Sequence, residues 1–248
     1  VAAEQYLKLV LAYDGTEYQG WQVQKGQPES RTIQGELEKA LETLCGRRVT
    51  VTGAGRTDAG VHAVEQVASL KTSSSIPAER FPPALNSLLP PDIVIRSAQE
   101  IAPEFHARFS ARQKTYRYYL DPGPVPDVFW RRYALNVKTP LNWAAMNEAA
   151  ASFTDKRDFR AFCASGSSVT NFTRTVTSCR WVTGRDKPYL EITADGFLYH
   201  MVRIMVGTML EVGRGKFLPA DVMEMLKGSR QPGPTAPAKG LFLYQVSY

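Results

Sequence analysis

The chain has 248 residues, enough for one large domain or two small ones with a buried core. Hydrophobic residues make up 44% and charged residues 22%, ordinary values for a globular chain, and no apolar run approaches the roughly 20 residues of a membrane-spanning helix, so the cytoplasm is the expected location. A net charge of +6 suits a polyanionic partner, while the scattered Cys45, Cys163 and Cys179 and the equally scattered histidines give neither a disulfide framework nor a metal-ligand spacing.

In chain order, "YLKLVLAY" at 6–13 predicts a strand. "TIQGELEKALETLCG" predicts an amphipathic helix capped by Thr32 and ended by Gly46, with Ile33, Leu37, Leu41 and Leu44 on its apolar stripe. Two strand-like runs follow, "RVTVTG" and "HAVEQVASLKT", then a helix near Pro82-Pro83 and a strand "DIVIRSAQEI". The order β-α-β-β-α-β is the ferredoxin-like signature. The second half repeats it. "RQKTYRYYL" is a strand, Thr139-Pro140 opens a helix, and "TRTVTSCRWVT" with "YLEITAD" forms a strand pair. A long helix near Leu198, a shorter one near Pro219 and a strand "LFLYQVSY" complete it, and the proline-rich "DPGPVPDVF" is a connection or lip.

These elements predict an α+β fold in two ferredoxin-like subdomains, residues 1–110 and 111–248. The halves could join into one broad, mainly antiparallel sheet with helices on one face and a cleft on the other, or pack as independent modules.

Three features carry candidate chemistry. "GAGRTDAGVHA" at 53–63 hangs Asp58 on a glycine-rich turn beside Arg56. The stretch "FHARFSARQKTYRYYL" at 105–120 mixes Arg108, Arg112, Lys114 and Arg117 with five aromatic rings and no acid. Cations for phosphates among rings for bases suit unpaired RNA, and a charged edge strand is the competing reading. "FLYHMVRIMVGTML" at 197–210 is apolar on nearly every side except for Arg203. A guanidinium in such a helix calls for a carboxylate partner, and Asp58 is a candidate. Asp58 would then be a charged nucleophile or electrostatic stabiliser, and Tyr116 a phenol for stacking or proton transfer.

Two imitations fail. "GAGRTDAG" places Asp58 where a dinucleotide fingerprint needs its third glycine, and "VGRGKF" lacks the first glycine and the hydroxyl of a phosphate-binding loop.

Taken together, "GRTDAGVHA", "FHARFSARQKTYRYYL", "GFLYHMVRIMVGTML", "TAPAKGLFLYQVSY" and the opening "YDGTEYQGWQVQ" resemble, in order and over nearly the whole chain, the TruA family of tRNA pseudouridine synthases. The resemblance implies isomerisation of uridine to pseudouridine at positions 38 to 40 of the tRNA anticodon arm, with base flipping, no cofactor and no metal. It implies Asp58 as the catalytic aspartate, Arg56 as the residue that displaces the target base, Tyr116 as the active-site tyrosine and Arg203 as the aspartate's basic partner. Arg56 and Tyr116, with Lys114, Arg108, Arg112 and His62, are the candidate substrate contacts. It further implies a homodimer in which each tRNA meets both subunits. Tyr199 stands ahead of His200 where a second histidine is common in the family. A non-catalytic RNA-binding module of the same fold is the alternative.

Overall fold

The computed structural model describes residues 4–24, 26 and 30–248. Among the described residues the chain has a mixed α+β fold of ten mostly antiparallel strands and few helices. It divides into two compact units, one running to Arg112 and taking in Leu243–Tyr248, the other Gln113–Phe242.

The first unit follows the ferredoxin-like order. Strand β1 (Gln5–Tyr13) leads to helix α1 (Ile33–Cys45), the short β2 (Val51–Gly53) and the long β3 (His62–Thr72). Helix α2 (Phe81–Asn86) and β4 (Ile93–Glu100) complete it. β1 lies between β4 and β3, and β2 pairs with β3, all antiparallel. The ends of α1 are local in origin. Thr32 Oγ1 accepts from Gly35 N–H at 3.2 Å, and Gly46 takes the left-handed φ of 69° that stops the helix. Between these caps Ile33, Leu37 and Leu41 are fully buried, and each contributes about 1.5–3 kcal/mol by leaving water.

The second unit opens with β5 (Gln113–Pro122), which pairs antiparallel with β9 (Tyr189–Ala194), and β9 pairs with β8 (Thr173–Val182). Helix α3 (Trp143–Ala151) precedes β8, and α4 (Met201–Gly213) and α5 (Asp221–Leu226) follow β9. β10 (Leu241–Ser247) closes the chain. Two strands were not expected. β6 (Leu135–Val137) runs parallel to the end of β5, and β7 (Asp155–Asp158) pairs with β8. Two helix starts also shift. Asn142, not Thr139, caps α3 by accepting from Ala145 N–H at 3.1 Å, and α4 begins at Met201 rather than near Leu198.

Side-chain alternation along β5 sorts its residues. Tyr116 and Tyr118 stand opposite Ile192 and Leu190 and are buried, whereas Arg117 faces Glu191 on the other side. Every residue of α4 except Arg203 is buried, which is the environment its apolar sequence predicts. Among the described residues no helix is long and apolar enough to cross a membrane.

Candidate active-site residues

In the first unit the turn at 54–61 links β2 to β3, and its backbone is fixed from several directions. Ala54 N–H donates to Val67 O at 2.7 Å, and Gln66 Nε2 donates to Gly55 O at 2.9 Å. Trp21 N–H donates to Thr57 O at 3.0 Å, Gly60 N–H to Tyr18 O at 3.3 Å, and Val61 N–H to Asp58 O at 3.1 Å. The side chains of the Arg-Thr-Asp triplet then divide. Arg56 is exposed, Thr57 is 7% exposed, and Asp58 is half-buried. Thr57 Oγ1 lies 2.8 Å from the Tyr13 hydroxyl inside the unit.

His62, taken from the sequence as a candidate substrate contact, is 1% exposed. Its Nδ1 accepts from Gly15 N–H at 3.0 Å and lies 3.1 Å from Asp14 Oδ1. Its ring therefore braces the segment beneath the turn.

The basic aromatic stretch at 105–120 is divided at the unit boundary. Residues up to Arg112 form turns of the first unit, and Gln113 begins β5 of the second. On the first side, Phe109 is 76% exposed, 4.3 Å from the His106 ring and 5.5 Å from the Arg108 guanidinium. His106 Nδ1 accepts from both Arg108 N–H (3.1 Å) and Phe109 N–H (3.2 Å), which turns the two side chains outward. An exposed ring with a stacked imidazole and an adjacent guanidinium is suited to an unpaired base. Arg108 and Arg112 are both exposed.

On the second side, Lys114 is half-buried and Tyr116 is 7% exposed, its ring edge-on to Phe197 at 5.0 Å. Arg117 is committed elsewhere, with Nε and a terminal nitrogen 2.9 and 2.8 Å from Glu191 Oε2. The edge-strand reading of this stretch is overturned for β5, because its backbone pairs with β9 along one side and with β6 near its end. In α4, Arg203 is half-buried, and its Nε donates to Ala236 O at 2.8 Å while Ala236 N–H donates to Arg203 O at 3.0 Å. Burial pushes the Tyr118 phenol up, although the nearby Arg203 charge pulls it the other way, so Tyr118 stays neutral and donates to Pro237 O at 2.8 Å. The Tyr199 and His200 rings stack at 3.9 Å at the head of α4, where His200 holds a φ of 58°.

Sequence reasoning did not assign a role to the segment at 13–21, which supplies most of the contacts that fix the aspartate turn. The signal available was its two glycines, of which Gly20 has a φ of 90° and lies so close to the turn that a Cβ would come within 2.5 Å of Thr57 O.

The aspartate turn lies in the first unit, and the buried tyrosine strand and the arginine-bearing apolar helix lie in the second. The sequence model of the family described as tRNA pseudouridine synthase matches residues 9–110 and 149–248, and the chain belongs to that family. It is 50% identical to the tRNA pseudouridine synthase A of Moorella thermoacetica over 246 residues, covering 98% of this chain and 99% of the relative. It is 47% identical to that of Syntrophomonas wolfei over 244 residues (98% and 97% covered) and 46% identical to that of Bacillus subtilis over 246 residues (98% of each).

Proposed function

We propose that this isomerase converts uridine to pseudouridine at positions 38 to 40 of the tRNA anticodon arm, with Asp58 as its catalytic carboxylate. The observation that carries the reading is the presentation of the Arg-Thr-Asp triplet. A rigid turn keeps Thr57 inside and leaves the exposed Arg56 and the half-buried Asp58 available to a nucleic acid. The target base must leave its stack before either its faces or C1′ can be reached. Arg56 takes the vacated space, and the Tyr116 ring packs against the extruded uracil. Asp58 attacks C1′, removes a sugar proton or adds to uracil C6, the N1–C1′ bond breaks, and the uracil turns in place. C5 then bonds to C1′ as any bond to Asp58 breaks or the sugar proton is returned, N1 takes up a proton, and the C5 proton is lost with help from Tyr116, so that the product is an isomer of the substrate. Arg203 is the basic partner that the family likeness implies for the aspartate, and Lys114, Arg108 and Arg112 hold phosphates. His62 supports the turn from beneath. The aspartate turn belongs to the subdomain 1–110, and the tyrosine strand and arginine helix to 111–248. The compartment is that of the substrate, the cytoplasm.

The expected partner, besides tRNA, is a second copy of the chain. In the second unit Tyr119 has Tyr189 at 5.2 Å, Phe242 at 5.3 Å and Trp130 at 5.7 Å. Three cations near these rings are already matched. Arg117 and Arg180 hold Glu191, and Lys187 bridges Asp121 at 2.7 Å and Asp127 at 3.0 Å. Cations already held by carboxylates offer less to a polyanion, and an aromatic face flanked by them suits a self-complementary protein contact. The adjoining loop adds Phe129, 84% exposed, together with the exposed Val125 and Val128.

The activity is tested by incubating the protein with tRNA tritiated at uracil C5 and following tritium release. Wild type is expected to release it and Asp58→Asn to release none while still binding tRNA. Firm binding without release by wild type would favour the RNA-binding module, and normal release by Asp58→Asn would refute its catalytic role.

A further inference from the structure

The segment "YDGTEYQGW" at 13–21 takes no part in the chemistry above, yet it meets the aspartate turn on each side of Asp58. Its Trp21 N–H and Tyr18 O hold the turn at Thr57 and Gly60, and its Gly20 allows the approach. These are backbone contacts, which set where the turn lies. One side-chain contact between the segment and the triplet bears directly on how the turn is rotated. Tyr13 Oη and Thr57 Oγ1 are 2.8 Å apart, both residues are buried, and Gln66 closes the cluster with Nε2 3.5 Å from Tyr13 Oη and 2.9 Å from Gly55 O. Burial pushes the Tyr13 phenol up to about 12, against the opposing effect of its hydrogen bonds to Thr57 and Gln66, so the hydroxyl stays protonated at working pH.

We infer that the Tyr13–Thr57 hydroxyl pair is a buried lock that positions Asp58, so that the middle residue of the Arg-Thr-Asp triplet serves aim rather than substrate contact. The physical reason is geometric. With Thr57 pinned inward, the chain cannot twist about its own axis at this point, and the side chains on either side are fixed in the outward direction. A catalytic group displaced by about 1 Å loses on the order of a hundredfold in rate, so a lock one residue from the carboxylate has leverage on turnover. Tyr13 and Thr57 are positioning residues in this scheme. The proposal rests on the reading of Asp58 as catalytic.

The test uses Tyr13→Phe, Thr57→Val, the double variant and Thr57→Ser, each assayed for kcat and KM on tRNA and for Tm. Each single apolar substitution removes the Tyr13–Thr57 hydrogen bond from a buried pair, leaving Thr57 without Tyr13 or Tyr13 with only the long contact to Gln66, so Tm falls, and kcat falls about ten- to hundredfold with KM for tRNA unchanged. Replacing both partners leaves neither hydroxyl behind, and Gln66 Nε2 keeps its shorter bond to Gly55 O, so the double variant regains most of its Tm. The lock predicts that its kcat stays low, because the rotational restraint is still missing. Thr57→Ser, which keeps the hydroxyl, regains kcat. If kcat in the double variant recovers together with Tm, the pair is structural only and the proposal is overturned. A fully active Tyr13→Phe beside an inactive Asp58→Asn overturns the lock alone. An active Asp58→Asn overturns the catalytic reading and the lock with it.

Discussion

Gly207→Ala sets local propensity against packing, and the two give opposite signs. Position 207 is inside α4, where exchanging glycine for alanine should favour the helix by about 1 kcal/mol. In the folded protein, however, a Cβ at 207 would overlap the Pro234 carbonyl oxygen. Relief requires the strand of chain at 233–237 to move off the helix, and three hydrogen bonds hold it there. Gly233 N–H donates to Thr208 Oγ1 at 2.9 Å, Ala236 N–H to Arg203 O at 3.0 Å, and Arg203 Nε to Ala236 O at 2.8 Å. Two neutral bonds at about 0.5–1.5 kcal/mol and one charge-assisted bond at about 1.5–3 kcal/mol amount to roughly 2.5–6 kcal/mol. After the helix gain, a net loss of about 1.5–5 kcal/mol remains, which lowers Tm by roughly 3–20 °C for a chain of this size. Thermal melts followed by circular dichroism read this directly. Tritium release from C5-labelled tRNA should fall in parallel, because the same displacement frees the Arg203 guanidinium from its carbonyl. An unchanged or raised Tm would refute the packing argument and leave propensity as the dominant effect.

Lys187→Met should lower Tm at neutral pH and narrow its deficit in acid. Burial alone would raise the Asp121 carboxyl, but Lys187, the Asp127 N–H and Asn136 together hold it below the ordinary range, and Lys187 does the same for Asp127. Depressed carboxyls contribute stability above their unfolded value near 4 and lose it as pH falls through the lower folded value. The gap between wild type and Lys187→Met therefore shrinks below about pH 4, and a gap that stays constant from pH 7 to pH 3 would exclude an electrostatic role. Phe129→Glu places a charge on the exposed apolar tip beside the aromatic face. Light scattering should show a two-chain wild type and a single-chain variant with unchanged circular dichroism, and an unaltered mass would remove this face from the contact between copies.

How much was legible in the sequence depends on how local each feature is. The caps of α1 at Thr32 and Gly46 were legible because they involve hydrogen bonds and φ angles within one turn of the helix. The β3 run could be read as 62–72 because its apolar residues are set by a period that the chain itself displays. β7 was not legible. Its sequence is "DKRD", without apolar alternation, and it is a strand only because β8 offers it an edge. The proline-rich stretch after β5 could be read as a connection, but its tether could not, since Lys187 is 66 residues from Asp121.

The candidate site divides in the same way. The residues proposed to carry chemistry stand out in the sequence. An aspartate among glycines, a tyrosine in a basic aromatic strand and one arginine in an apolar helix are each anomalies against local expectation. Which way those residues face was not legible there. Only the fold shows that Arg117 is spent on Glu191, that His62 is buried under the turn, and that the stretch 105–120 breaks at Arg112 into two units. The Tyr13–Thr57 contact joins residues 44 apart. Periodicity and capping act over a few residues, so they determine the elements and the unusual side chains within them. Pairings across such distances arise when separate strands and turns bury their surfaces together, and that step belongs to the tertiary structure alone.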